Sequence, residues 1–310
     1  MNNIKNLFLK SVKVNIQNLK GIDLKKFDIR GSFIRDVIER NSDSNFTNIS
    51  SDLIDVNLQG ANLKNANFLF SNLQGANFLF SNLEGANLKS ANLKYANLRR
   101  SNMESAILID TNLNFASLKD SDLEYTKLMG ANLEDAILIN IDLTGADLTG
   151  ANLTGVNLTG ANLTGANLTG VNLTGANLRR VYLRDTNLFG ADLTGAHFTG
   201  AKIINVNLKE SKLTGANLSD SYLKNVNFSD ANLTDANFTR ANLNNLNFEN
   251  ANIIGIKLTD TFLDKLYTDE LKTQYNPEEQ SQVAECKKYK EYIPVFLIPC
   301  SLFLISWLFV

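Results

Sequence analysis

Residues 151–170 read A-N-L-T-G, V-N-L-T-G, A-N-L-T-G, A-N-L-T-G. The apolar third letter of this unit recurs without a slip from Leu53 to Leu263, giving 43 consecutive centres of which 34 are Leu, six Phe, two Ile and one Met. A beat of five fits neither the 3.6-residue period of a helix nor the two-residue period of a strand, so the repeat decides the fold before any secondary-structure pattern does. Two positions before each centre stands a small residue in 40 of the 43 units, and only Ile141, Leu246 and Ile256 are larger. One small and one large buried side chain in every five, followed by Gly or a polar residue, suits a chain that turns a corner at each repeat. Gly at the fifth position, as at Gly145, Gly150 and Gly155, supplies the positive φ that the third residue of a type II turn requires. Asn or Asp often stands there instead.

With these units, residues 51–265 resemble a pentapeptide-repeat protein, whose motif is A-(N/D)-L-x-x. The resemblance implies an all-β fold: a right-handed quadrilateral β-helix in which four pentapeptides make one square coil. At four units per coil the 43 units make 10.75 coils, a rod roughly 50 Å long at the ~4.8 Å spacing of paired strands. The centres, among them Leu153, Leu158, Leu163 and Leu168, are then an interior column, and burying each Leu-sized side chain contributes about 1.5–3 kcal/mol. Because each coil touches only its neighbours, the ends are the weak points and function belongs outside the core.

A chain of 310 residues with 44% apolar residues, 20% charged residues and a net charge of −2 is neither disordered nor a strongly basic nucleic-acid binder. No nucleic-acid partner is expected. Cys286 and Cys300 are the only cysteines, too few for a disulfide framework or a zinc site, and no metal or other cofactor is expected. The single histidine, His197, occupies the polar position before Phe198. No nucleophile–base–acid set assembles around it and there is no phosphate-binding glycine loop, so no catalytic residues are assigned and the chain reads as a non-enzyme.

Outside the repeat the pattern changes. Residues 1–50 read as an N-terminal cap over the first coil, either a degenerate repeat spaced by Leu19, Leu24, Ile29 and Ile34 or a short helix with Phe33, Ile34, Val37 and Ile38 on one face. Residues 1–20 carry Lys5, Lys10, Lys13 and Lys20 with no long apolar stretch, so no signal peptide is expected there. Residues 266–291 read as a polar helical linker, broken around Asn276 and Pro277. Residues 292–310 read as a C-terminal α-helical, transmembrane tail, since the run opening at Ile293 and closing at Val310 carries no charge and 18 helical residues reach about 27 Å. Lys287, Lys288 and Lys290 precede it, which places the rod on the cytoplasmic side. The alternative is a soluble cytoplasmic protein whose tail caps the last coil or joins two rods as a homodimer, as the resemblance to quinolone-resistance members of the family implies. The many N-L-T triplets, each a glycosylation acceptor pattern, suit a bacterial cytoplasm better than a secretory route.

Residues twenty apart stack on one face. One column runs Lys64, Glu84, Glu104, Glu124, Thr144, Thr164, Arg184, with Asp122 and Asp142 beside it; stacked like charges are unfavourable, which marks the three Glu as a candidate partner surface. A second column runs Leu69, Lys89, Ile109, Met129, Thr149, Thr169, Phe189, and its Leu69, Ile109, Met129 and Phe189 are expected to expose apolar area of the kind that marks a partner site. Phe70 and Phe80 at turn positions add to it, and Arg179, Arg180 and Arg184 with Tyr182, together with Arg99, Arg100 and Lys119, form basic groups. The first functional reading is a non-catalytic rigid scaffold for protein–protein interaction, tethered to a membrane by its C-terminus, with a protein partner the sequence does not identify. The second is a DNA-mimicking regulator of a topoisomerase of the gyrase-protecting type, from which this chain departs because its acidic run spans about three coils.

Overall fold

The computed structural model describes residues 53–266, with side chains to Phe262. Every five residues the backbone turns a corner, and each residue just before a centre bridges in parallel to the residue twenty positions on, as Asn132 does to Asn152 and Asn152 to Asn172. Twenty residues are four pentapeptides, so each coil has four sides and the chain is a quadrilateral β-helix. Its crossovers belong to the class of parallel connection that is right-handed in nearly all proteins.

The unit 161–165 shows why this sequence keeps this geometry. The Ala161 N–H donates to the Leu158 carbonyl across the corner at 3.0 Å, Asn162 to Ile141 in the preceding coil at 2.9 Å, Leu163 to Tyr182 in the following coil at 2.9 Å, and Gly165 to Arg184 at 2.8 Å. Only the Thr164 N–H has no backbone acceptor, and the Asn162 side-chain oxygen takes it at 3.2 Å. All five donors are thereby bonded, and the preference for Asn or Asp before each centre is explained by this side-chain turn. The same amides also link coils, as when Asn152 Nδ2 donates to Asn132 Oδ1 at 3.2 Å.

The interior is one continuous apolar column from Leu53 to Ile253. Leu153, Leu158, Leu163 and Leu168 are fully buried, as are the alanines that flank them. Phe228 stacks on Phe248 with centroids 5.2 Å apart and meets Phe238 edge-on at 6.3 Å. Where Ser or Thr replaces the small apolar residue the hydroxyl is buried, and it is bonded at several of these positions, as when Thr111 Oγ1 donates to the Leu88 carbonyl at 2.8 Å and Thr186 Oγ1 to that of Leu163 at 2.8 Å, whereas the Ser81 hydroxyl has no partner.

Each corner residue from Asp55 to Asp260 has positive φ, and most of them are not glycine: Phe70, Phe80, Tyr95, Phe115, Tyr125, Arg100, Arg180 and Arg240 all adopt it. The left-handed region is unfavourable for such side chains by about 1–2 kcal/mol each. The paired coils on either side therefore impose the turn, whichever residue occupies it.

One side of the rod widens into regular strands toward the C-terminal end: β1 (Tyr182–Arg184), β2 (Lys202–Ile204), β3 (Tyr222–Asn227), β4 (Asn242–Asn247) and β5 (Phe262–Leu266), paired in that order and all parallel. At the corresponding corners an amide ladder links the coils, with Asn205, Asn225 and Asn245 each donating to the corner residue one coil earlier at 2.8 Å. The unbroken beat predicts a helix without bulges, and here the structure differs. Between β4 and β5 the register shifts, and Asn244 pairs with Lys265. The column that is Asn205, Asn225 and Asn245 in earlier coils reaches Lys265 there, where no amide continues the ladder.

The expected cap at 1–50, the linker at 266–291, apart from its first residue, and the transmembrane tail at 292–310 lie outside the described residues. Among the described residues no helix is long and apolar enough to cross a membrane.

Candidate functional site: the outer faces of the rod

The acidic column is on the side that carries β1 to β5 farther along. Bridges run from Asn82 through Asn102, Asp122 and Asp142 to Asn162, so Glu84, Glu104 and Glu124 stack one coil apart beside the two aspartates. The glutamates are half-buried, and each backbone N–H donates to the side chain two residues earlier: Glu104 to Asn102 at 2.8 Å, and Glu124 to Asp122 at 3.0 Å. Lys64 Nζ pairs with Glu84 at 2.8 Å, whereas Glu104 and Glu124 form no ion pair among the described residues. The Glu124 carboxyl titrates above its ordinary value, first because of burial and then because Asp122, Asp142 and Glu104 oppose its charge. Asp142 accepts from the Thr144 N–H at 2.9 Å and from its hydroxyl at 2.6 Å.

On the next side Leu69, Ile109, Met129 and Phe189 are half-buried. The large apolar side chains that are exposed lie elsewhere. Phe70, Phe80, Tyr95, Phe115 and Tyr125 are between 43 and 57% exposed, and all five are corner residues in the first half of the rod. Tyr95 and Phe115, one coil apart, stack with centroids 5.2 Å apart, and Lys94 Nζ lies 5.1 and 5.7 Å from the two rings. The Arg100 guanidinium is 5.6 Å from the Phe80 ring and 3.7 Å from Asp120. The sequence reading singled out Phe70 and Phe80 but not Tyr95, Phe115 or Tyr125. The signal that would have found them is an aromatic residue in the fifth position, where a turn favours Gly or Asn.

Some charges elsewhere are neutralised between adjacent coils. Arg240 grips Asp220 with both Nε and Nη2, at 2.6 and 2.7 Å, which lowers the Asp220 carboxyl pKa and raises that of the guanidinium. Lys212 pairs with Asp192 and Lys209 with Asp230, each at 3.5 Å. His197 is exposed. Among the described residues no group of three or more His, Cys, Asp or Glu side chains could hold a metal ion.

Comparison with known proteins agrees with this geometry. A family model described as pentapeptide repeats matches residues 51–89, 86–124, 126–165 and 166–203, and one described as a pentapeptide repeat region matches 189–258. No curated protein matches. Among solved structures, the chain is similar to HetL, a pentapeptide repeat protein involved in heterocyst differentiation regulation from the cyanobacterium Nostoc sp. strain PCC 7120, at 28% identity over 69% of this chain and 92% of that one, with a TM-score of 0.31. It is also similar to a trypsin-treated form of QnrB1, a plasmid-mediated fluoroquinolone resistance protein, at 19% identity over 55% of this chain and 90% of that one, with a TM-score of 0.50. A pentapeptide repeat protein from the Arabidopsis thaliana thylakoid lumen is 34% identical over 32% of this chain and 69% of that one, with a TM-score of 0.31. With family models matching most of residues 51–258, the chain belongs to the pentapeptide-repeat family.

Proposed function

We propose that the rod is a rigid, non-catalytic scaffold for protein–protein interaction, held at the cytoplasmic side of a membrane by the apolar run at residues 293–310. The observation that carries the reading is the set of bulky aromatic side chains in left-handed corners. Phe70, Phe80, Tyr95, Phe115 and Tyr125 stand where the backbone favours glycine, and they expose their rings over the first half of the rod. Residues kept in unfavourable backbone regions cluster at functional sites. Aromatic rings flanked by Lys and Arg are typical of the anchoring centres of protein interfaces.

The DNA-mimic reading is less well supported. The acidic column ends at Asp142, and farther along the same side Arg184, Lys202 and Lys224 are positive, whereas a mimic of duplex DNA needs a continuous negative track.

The test pairs capture from membrane extract with fractionation. The full chain is expected to retain a protein partner that a Tyr95→Ser, Phe115→Ser variant loses while keeping its circular dichroism, and deletion of residues 293–310 is expected to move the protein from the membrane to the soluble fraction. A partner retained by the variant would remove the aromatic corners from the site. Unchanged fractionation after the deletion would end the tether.

A further inference from the structure

The side of the rod that bears the acidic column is polarised along its length. In its first half, Glu84, Glu104, Asp122, Glu124 and Asp142 are negative; in its second half Arg184, Lys202 and Lys224 are positive and exposed, on β1, β2 and β3. Between them lie the neutral Asn162 and Thr164, one coil from each half. None of Glu104, Glu124, Arg184, Lys202 and Lys224 forms an ion pair among the described residues, in contrast to the coil-to-coil pairs formed by Arg240, Lys212 and Lys209. Apart from Glu84, which Lys64 of the preceding coil pairs, the acidic half and the basic half are without ion pairs among the described residues, and such a face is complementary to itself turned end for end.

We propose that this face is the interface of an antiparallel dimer, in which a second copy of the chain lays its basic half on the acidic half of the first. The two-fold axis would lie in the plane of contact, perpendicular to the rods, at Asn162 and Thr164. Such an axis reverses the order of coils but keeps each column opposite its own counterpart. Three coils from Thr164, Glu104 then faces Lys224 of the second copy. Two coils from Asn162, Asp122 faces Lys202 of that copy. One coil away Thr144 faces its Arg184, within reach of Asp142 in the adjoining column. The residues at the axis are small and uncharged, so nothing there opposes close approach.

The area fixes the character of the contact. A face about 50 Å long and about 10 Å wide, three extended residues at ~3.3 Å each, covers on the order of 500 Å² per copy. The total of roughly 1,000 Å² is at the lower limit for a specific interface. Association therefore depends on the charge match and is screened by salt. The like-charge stacking that opposes Glu124 ionisation in the single rod is the field that the basic half of a second copy would neutralise.

This inference is independent of the aromatic corners and of the membrane tether. It is tested on the full-length chain in nonionic detergent by sedimentation, with the detergent contribution subtracted. At about 0.05 M salt the protein mass is expected to be that of two chains, and at about 0.5 M that of one. A variant with Glu104→Lys and Asp122→Lys sets like charges against Lys224 and Lys202 of the second copy, and one with Lys202→Glu and Lys224→Glu sets like charges against its Asp122 and Glu104. Each alone should stay monomeric at low salt, with circular dichroism unchanged. An equimolar mixture should form a one-to-one heterodimer, and a chain carrying all four changes should dimerise again. A single-chain mass for the unsubstituted protein at low salt overturns the proposal. So does a dimer indifferent to both pairs of charge reversals, which would assign the association to another part of the chain.

Discussion

Gly145 and Gly150 occupy successive corners with the same φ of +65°, yet they differ in what lies above them. A Cβ added at Gly150 would have nothing within 4 Å, whereas one at Gly145 would come within 2.6 and 2.7 Å of the Tyr125 ring, one coil earlier, and of no other residue. The pair thus separates the cost of a left-handed alanine from the cost of displacing a ring. For Gly150→Ala the backbone costs about 1–2 kcal/mol, offset by about 0.4–1 kcal/mol from the smaller freedom of the unfolded chain, leaving a loss near 1 kcal/mol. Gly145→Ala should lose the same amount plus a packing penalty. Forced overpacking costs about 1–3 kcal/mol, and Tyr125, 57% exposed, can swing outward, so the lower end applies. The expected losses are about 1 and about 2 kcal/mol. Thermal or urea unfolding of both variants, repeated in a Tyr125→Ala background, completes the cycle. There Gly145→Ala should cost no more than Gly150→Ala, a coupling of about 1 kcal/mol. Equal losses in the unsubstituted background, or a Gly145→Ala penalty that survives removal of the ring, would refute the reasoning.

Two further outcomes follow from the core and the acidic column. Leu163 is fully buried at mid-rod, so Leu163→Ala should cost about 2–5 kcal/mol in urea denaturation, and Leu163→Asp, which buries an unpaired carboxylate, should abolish soluble expression; wild-type yield of the Asp variant would argue against the buried column. Glu124 has its folded-state pKa raised by burial and by its acidic neighbours, so the folded protein binds that proton more tightly than the unfolded chain, and ionisation disfavours folding as pH rises through the folded pKa. Glu124→Gln should therefore raise the melting temperature of dilute protein at neutral pH, with the gain vanishing below the unfolded carboxyl pKa of about 4.3; a gain independent of pH would show that charge is not its cause.

Much of the fold was legible because the repeat has no competing period. The centres and the small residues that precede them define which two side chains in five are buried, and the structure buries Leu153, Leu158, Leu163 and Leu168 accordingly. Less legible were local departures. The register shift at Asn244, which there pairs with Lys265, is not reported by anything in the beat of Leu243 and Leu263. Exposure on the outer columns was also poorly legible. Ile109 and Met129 look exposed in a one-dimensional ladder, but their backbone lies on the flat side of a coil, where neighbouring coils cover most of each side chain. The corner residues Tyr95 and Phe115 have less such cover and project where those side chains do not.

The corners are where this repeat varies without harming its core. The turn is imposed by the buried centres on either side and by the coil-to-coil bonds, so the corner residue is free to be Gly, amide, aromatic or charged at a cost of about 1 kcal/mol, and that cost is recovered when consecutive coils place compatible side chains in one column. The three kinds of column each do this differently: Tyr95 on Phe115 by ring stacking, Asp185 through Asn245 by side-chain amide bonds, and Asp220 with Arg240 by a two-point ion pair. A side chain at a corner is therefore best understood together with the residues twenty positions before and after it. By that criterion the stacked aromatics differ from the other two columns, because amides and ion pairs satisfy one another within the rod, whereas the exposed rings of Tyr95 and Phe115 retain apolar surface that their stacking does not cover. Surface left over after the column has stabilised itself is what a partner can use.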